Sequence, residues 1–117
     1  MDIFVQGEDI YREVSLTDAD GNAIDTSIFL TITAKVRGKY NIDLLDTLTL
    51  AAGEITKETP TTDGIISMII PGSVTADAGY GDYKCEIVTT ETDSDYPSNT
   101  RIRKHIIDNF FRLYKDL

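Results

Sequence analysis

Side chains able to do chemistry are few in this chain, and they are scattered. One histidine (His105) and one cysteine (Cys85) occur in 117 residues. His105 sits in the basic run 101–105, so a triad built on it would need a distant carboxylate and a serine that no motif marks. Carboxylate pairs are common only because acids are common, and they carry no weight for glycosidase chemistry. The sequence contains no Gly-rich phosphate loop, no G-x-S-x-G string and no Cys/His cluster at metal-ligand spacing. Hard oxygen donors do gather in Asp18-x-Asp20-Gly21-Asn22-x-x-Asp25, the donor type calcium prefers. A helix-loop-helix calcium loop ends on a bidentate Glu at its twelfth position, where this chain has Phe29. The string therefore reads as an Asx-rich turn between strands, and Asp93 and Asp95 read as solvated loop acids. These residues predict no catalytic site, no cofactor and no bound metal; the expectation is a binding protein, not an enzyme.

The charge balance narrows the partners. Twenty acidic residues stand against 11 basic ones, a net charge of −9. Such a surface repels phosphate backbones, which disfavours nucleic acid. Residues 101–117 hold Arg101, Arg103, Lys104, Arg112 and Lys115 against Asp108 and Asp116, so this tail is +3 and the first hundred residues −12. That polarity allows head-to-tail association or docking on an acidic partner; it also suits a strand dressed with basic residues for solubility. A lone cysteine forms no internal disulfide, which favours synthesis in a reducing compartment. The N-terminal MDIFVQGEDIYREV lacks the pattern of a signal peptide, and no apolar run approaches the roughly 20 residues that cross a bilayer. The expectation is a chain made soluble in the cytoplasm, with no membrane partner.

The elements that must carry these residues are strands. Period-two alternation recurs along the chain and helical periodicity is nearly absent. It predicts strands over 3–5, 10–16, 28–36, 44–50, 65–70, 82–90 and 101–114, with an edge strand over 54–58 that commits no face to a core. Within 28–36, residues Ile28, Leu30, Ile32, Ala34 and Val36 share one face. The last segment also fits a short helix at its end, but a long strand is the favoured reading. Ser73 is placed to cap one helical turn over 73–78 that Gly79 ends, and 90–99 reads as a polar loop. Seven or eight strands punctuated by turns are the signature of one all-β domain, 1–117, an immunoglobulin-like β-sandwich of mostly antiparallel strands. Its expected core includes Leu30, Ile32, Ile66, Met68, Tyr83 and Ile87.

Tyr83 stands two residues before Cys85, the spacing of the tyrosine corner in immunoglobulin-like domains, whose hydroxyl pins the preceding connection. The partner cysteine and the buried tryptophan of antibody domains are missing, so Cys85 is expected to act as a small buried apolar residue. A second likeness runs along most of the chain. It comprises Phe4-x-Gln6-Gly7-Glu8-Asp9, Leu16-x-Asp18-x-Asp20-Gly21-x-x-Ile24-Asp25, Asp63-Gly64-Ile65, Ile70-Pro71-x-x-Val74-Thr75 and Ala78-Gly79-x-x-x-Tyr83. In order and type it resembles the small immunoglobulin-like domains of tailed-phage virion proteins, including the N-terminal domains of baseplate upper proteins. What the resemblance implies is a structural role in a virion, with other capsid or tail proteins as partners and many copies per particle. The shortness of the chain favours an auxiliary or decoration subunit of the capsid over a tail or baseplate component.

Docking is expected through Ile3, Phe4 and Val5, through Tyr40 and Tyr96 in loops, and through Arg101, Arg103 and Lys104 on the last strand. A free N-terminal strand would add to a neighbour's sheet. From a different class, a host-glycan adhesion module would need exposed aromatic platforms, and without Trp only Tyr11, Tyr40, Tyr80, Tyr96 and Tyr114 are available.

Overall fold

The alternating segments become eight strands in the computed structural model, which describes residues 2–40 and 44–116. In chain order they are β1 (Ile3–Val5), β2 (Ile10–Ser15), β3 (Phe29–Gly38), β4 (Leu44–Thr49), β5 (Ile55–Lys57), β6 (Ile65–Ile70), β7 (Gly81–Thr92) and β8 (Thr100–Tyr114). A five-stranded sheet, β1-β8-β7-β3-β4, packs on a three-stranded sheet, β2-β6-β5. Neighbours are antiparallel except β1, which runs parallel to β8. This is the immunoglobulin-like arrangement, a β-sandwich with its core between two half-apolar faces. The molecule measures 52 × 29 × 27 Å, drawn out along the β7–β8 hairpin.

Ile32, Ala34 and Val36 of β3 face Ile66, Met68 and Ile70 of β6 and are all buried, as period two requires. Three bulges decide what else is inside. At the start of β3 one extra residue sits between the pairs Phe29–Glu91 and Thr31–Thr90, so Phe29 turns inward and Leu30 outward, 62% exposed. The core placement expected for Leu30 is thereby corrected; Ile28, expected on the same strand face, lies in a 3₁₀ turn (Thr26–Ile28) ahead of β3 and is exposed. In β4 an extra residue between the partners of Val36 and Arg37 sends Leu45 toward the core and leaves Leu44 exposed. In β8 three residues, 108–110, separate the partners of Tyr83 and Cys85, two more than the single Lys84 between them on β7. The surplus lets consecutive Phe110 and Phe111 both be buried.

Other boundaries shift for similar reasons. β7 continues through Thr92, so the loop begins at Asp93, and β3 runs through Gly38 where a break was expected. β5 does commit a face, because Ile55 is fully buried against β6. The helical turn α1 spans Gly72–Thr75 and has no side-chain cap of its own, so neither Ser73 nor Gly79 bounds it. Its Gly72 N–H instead donates to the Asp9 carboxylate (2.6 Å), while Thr75 Oγ1 donates to Glu8 O (2.8 Å) and accepts from Gly7 N (3.0 Å). The Gly7-Glu8-Asp9 string thus clamps the far end of β6.

The tyrosine corner forms. Tyr83 O–H donates to Gly79 O (2.5 Å), and its ring stacks on Phe111 with centroids 5.0 Å apart. Cys85 lies between Val36 and Ile107, wholly buried, and burial pushes its thiol up to about 12. Only a thiolate alkylates readily. Iodoacetamide should therefore leave the native protein unmodified over hours and label it rapidly in denaturant, measured by mass spectrometry; rapid native labelling would contradict the buried placement.

Candidate functional site

The residues that suggested ligand chemistry are used up by local structure. Asp18 Oδ1 accepts N–H groups from Asp20 (2.9 Å) and Asn22 (3.0 Å), and Asp25 caps the 3₁₀ turn at Ser27 N (3.0 Å). Asp93 closes an Asx turn on Asp95 N (3.0 Å). Among the described residues no three His, Cys, Asp or Glu side chains converge as metal ligands. Glu91 is paired with Arg103 (2.5 Å), Asp82 with Arg112 (2.6 Å) and Asp2 with Arg12.

His105 faces inward opposite Ile87, and its Nε2 has no hydrogen-bond partner. Burial first, and the Arg103 guanidinium second, hold its pKa below the ordinary imidazole value. The unfolded chain titrates at about 6.5, so below that pH it binds a proton the folded chain resists. Stability contributed by neutral His105 is complete above that pH and is lost as pH falls through it. Urea titrations at about pH 7 and about pH 5 should show the wild type losing more stability than His105→Gln. Equal losses would remove His105 from the account.

What the fold leaves unsatisfied is main chain. At the outer edge of β4, Thr47 N–H donates to the Asp46 carboxylate (2.9 Å) and Thr49 N–H to Glu54 (3.2 Å). At the outer edge of β1, Val5 N–H donates to Glu8 Oε1 (2.9 Å). Both ends of the five-stranded sheet are thus closed by carboxylates, a device that deters further strands. β8 is different. β1 covers it only at Arg112, Leu113 and Tyr114. The bond from Asp93 N–H to Asn99 O (2.9 Å) fixes the alternation along the hairpin, so 101, 103, 105 and 107 exchange main-chain bonds with β7. Ile102, Lys104 and Ile106 turn their N–H and C=O groups away, and among the described residues nothing pairs with them; Thr100 adds only its C=O, because its N–H donates to Pro97 O. From the Thr100 carbonyl to Ile106 this leaves about 20 Å of open edge. β2 offers a shorter one, at Tyr11, Glu13 and Ser15.

Side chains distinguish the β8 edge further. Ile102 (61% exposed), Lys104 and Ile106 (65%) stand on the outer face of the sheet. Arg101 and Arg103 lie on the inner face; Arg101 stacks over the Tyr96 ring at 5.2 Å and Arg103 holds Glu91. The expected docking residues Tyr96, Arg101, Arg103 and Lys104 are therefore gathered on the outer half of the β7–β8 hairpin. Ile3, Phe4, Val5 and Tyr40 are at the other end, where β1 pairs with residues 112–114. The N-terminal strand is consequently not free. Phe4 packs edge-on against Phe111 (6.1 Å), and only Ile3 of the three is exposed. Tyr40 is 84% exposed, with the Lys39 ammonium 5.8 Å from its ring. Ile102 and Ile106 went unrecognised as site residues, although the pattern that makes 101–107 a strand already places them together on one face.

A groove of about 380 Å³ opens at that same end between β4 and the tyrosine corner, lined by Leu44, Leu45, Val74, Ala78, Tyr80 and Tyr83. Asp82, which also borders it, is engaged by Arg112, whose hydrogen bond holds its carboxyl below the usual range. No helix among the described residues is long and apolar enough to cross a membrane. No protein-family model matches the chain, and no curated protein matches it either.

Proposed function

We propose that this domain is a non-catalytic assembly module of a tailed-phage virion, an auxiliary or decoration subunit that docks on neighbouring capsid proteins through the open edge of β8. The observation that carries the docking role is the contrast between edges: β1 and β4 are closed by carboxylates, while β8 presents three outward main-chain positions, at Ile102, Lys104 and Ile106, two of them exposed isoleucines. Strand addition there supplies backbone hydrogen bonds, and many weak contacts on a repetitive shell sum to stable attachment. The virion setting is supported by the order of the Gly7-Glu8-Asp9, Asp18–Asp25 and Ala78–Tyr83 motifs. A tail or baseplate position would use the same edge.

Lys104→Pro tests the edge, because it deletes an outward N–H and leaves the β7 ladder intact. The variant should melt within a few degrees of wild type and be missing from particles assembled in its presence, whereas Lys104→Ala should be incorporated. Normal incorporation of the proline variant would end the docking assignment.

A glycan-binding reading is favoured by one observation only, the 72% exposed Tyr80 on the rim of the groove. It predicts sugar-dependent shifts at Tyr80 that Tyr80→Ala abolishes.

A further inference from the structure

We infer that the strand completing the β8 edge belongs to a different protein and carries an acidic residue with an apolar residue two positions to either side. This rests on β8 being the docking edge, and it goes further by stating the chemistry of the occupant. A strand laid on β8 places residues opposite Ile102, Lys104 and Ile106 on the outer face, where cross-strand neighbours sit about 5 Å apart. Two isoleucines, each more than 60% exposed, ask for apolar neighbours. Lys104 between them is exposed and is in none of the ion pairs that tie down Arg12, Arg103 and Arg112. An aspartate or glutamate opposite it is therefore favourable, and a lysine or arginine unfavourable. The pattern apolar-x-acidic-x-apolar reads the same in both directions, so it suits parallel and antiparallel addition alike.

The same three residues exclude a second copy of this chain. Two β8 edges pair antiparallel about a two-fold axis, and the register that sets Ile102 against Ile106 of the other copy on both sides is centred on Lys104. That register places Lys104 directly opposite itself and brings Arg103 beside the other copy's His105. Like charges directly opposite are destabilising, and two bodies of −9 add repulsion at longer range. One lysine thus both blocks self-pairing and selects an acidic partner.

The test uses a synthetic ten-residue peptide with valine-threonine-glutamate-threonine-valine at its centre and a twin with lysine in place of the glutamate, each titrated into isotope-labelled protein. The glutamate peptide should shift the amides of Ile102, Lys104 and Ile106 and protect them from hydrogen exchange, with affinity about tenfold above that of its twin and falling with salt. Lys104→Glu, exposed and neutral for folding, should reverse the order. Equal affinity of the two peptides at β8 sinks the acidic partner and leaves edge docking standing. No shift at β8 with either peptide overturns the inference, and if Lys104→Pro also enters particles normally, edge docking fails with it. Protection of the same amides on raising protein concentration alone, with a doubled mass in sedimentation, would make a second copy the occupant and overturn the inference as well.

Discussion

Replacing Phe111 by alanine should destabilise the domain by about 3–5 kcal/mol, the largest single-residue effect expected outside the backbone. Its ring is fully buried and touches three others: Tyr83 stacked at 5.0 Å, Phe110 tilted at 5.5 Å and Phe4 edge-on at 6.1 Å. The site is assembled from β1, β7 and the part of β8 beyond the bulge, so three segments must move to close the cavity. Domains of this size have only about 5–15 kcal/mol of stability, and a loss of this size consumes a large share of it. Urea unfolding should show a lower midpoint, and hydrogen exchange at Phe4 and Val5 should accelerate before the rest of the sheet, since β1 leans on this ring. A midpoint shift worth under about 1 kcal/mol would mean the aromatic cluster is not the anchor of that end.

Gly64→Ala should also be severe, for a different reason. Gly64 has φ +70°, a region that costs an L side chain about 1–2 kcal/mol. A Cβ there would lie 2.8 Å from Leu16 O and 2.9 Å from Ile24 O, main-chain atoms of two separate segments. Neither segment yields easily. Leu16 N–H donates to Gly64 O (2.7 Å) and Ile24 N–H to Leu16 O (3.0 Å), so all three strings are tied together. Overpacking adds about 1–3 kcal/mol to the torsional cost. The expected result is a total loss of about 2–5 kcal/mol in thermal or urea unfolding, with β6 and the start of the 16–25 hairpin losing exchange protection first. Gly53→Ala makes the comparison: it shares a positive φ (+82°) but has open space around its Cβ position, and it should cost only the torsional part. Equal losses in the two variants would show that the close approach at Gly64 is relieved cheaply.

Both effects bear on the docking edge. Phe111 fastens β1 and β7 to the inner end of β8, Gly64 ties the start of β6 to the 16–24 segment, and β8 can keep one edge open because its other side and inner face are held by β7 and the core. Lys104, Ile102 and Ile106 take almost no part in that support, so they are available for binding.

Much of this was legible from residue order. The strand positions, the tyrosine corner at Tyr83 and the buried, unreactive role of Cys85 all follow from period two and from side-chain type. So does the Asx turn at Asp18. These are local properties: a strand alternates whatever it pairs with, and a turn residue bonds to neighbours two or four positions away. The bulges at Leu30, Leu45 and 108–110 were hidden, because an extra residue is defined only against the strand opposite it. For the same reason period two alone puts Leu30 in the core, whereas it lies outside. The state of each edge was equally hidden. Whether an N–H is left over depends on which distant segment lies alongside, and the carboxylates that close β1 and β4 are recognisable as caps only once strand order is known. Sequence alone determined that this chain is a β-sandwich with a basic last strand. Tertiary structure alone decided that the N-terminal strand is paired and that β8 is the open edge, because pairing between segments far apart in the chain is set by the packing of the two sheets and not by any local pattern.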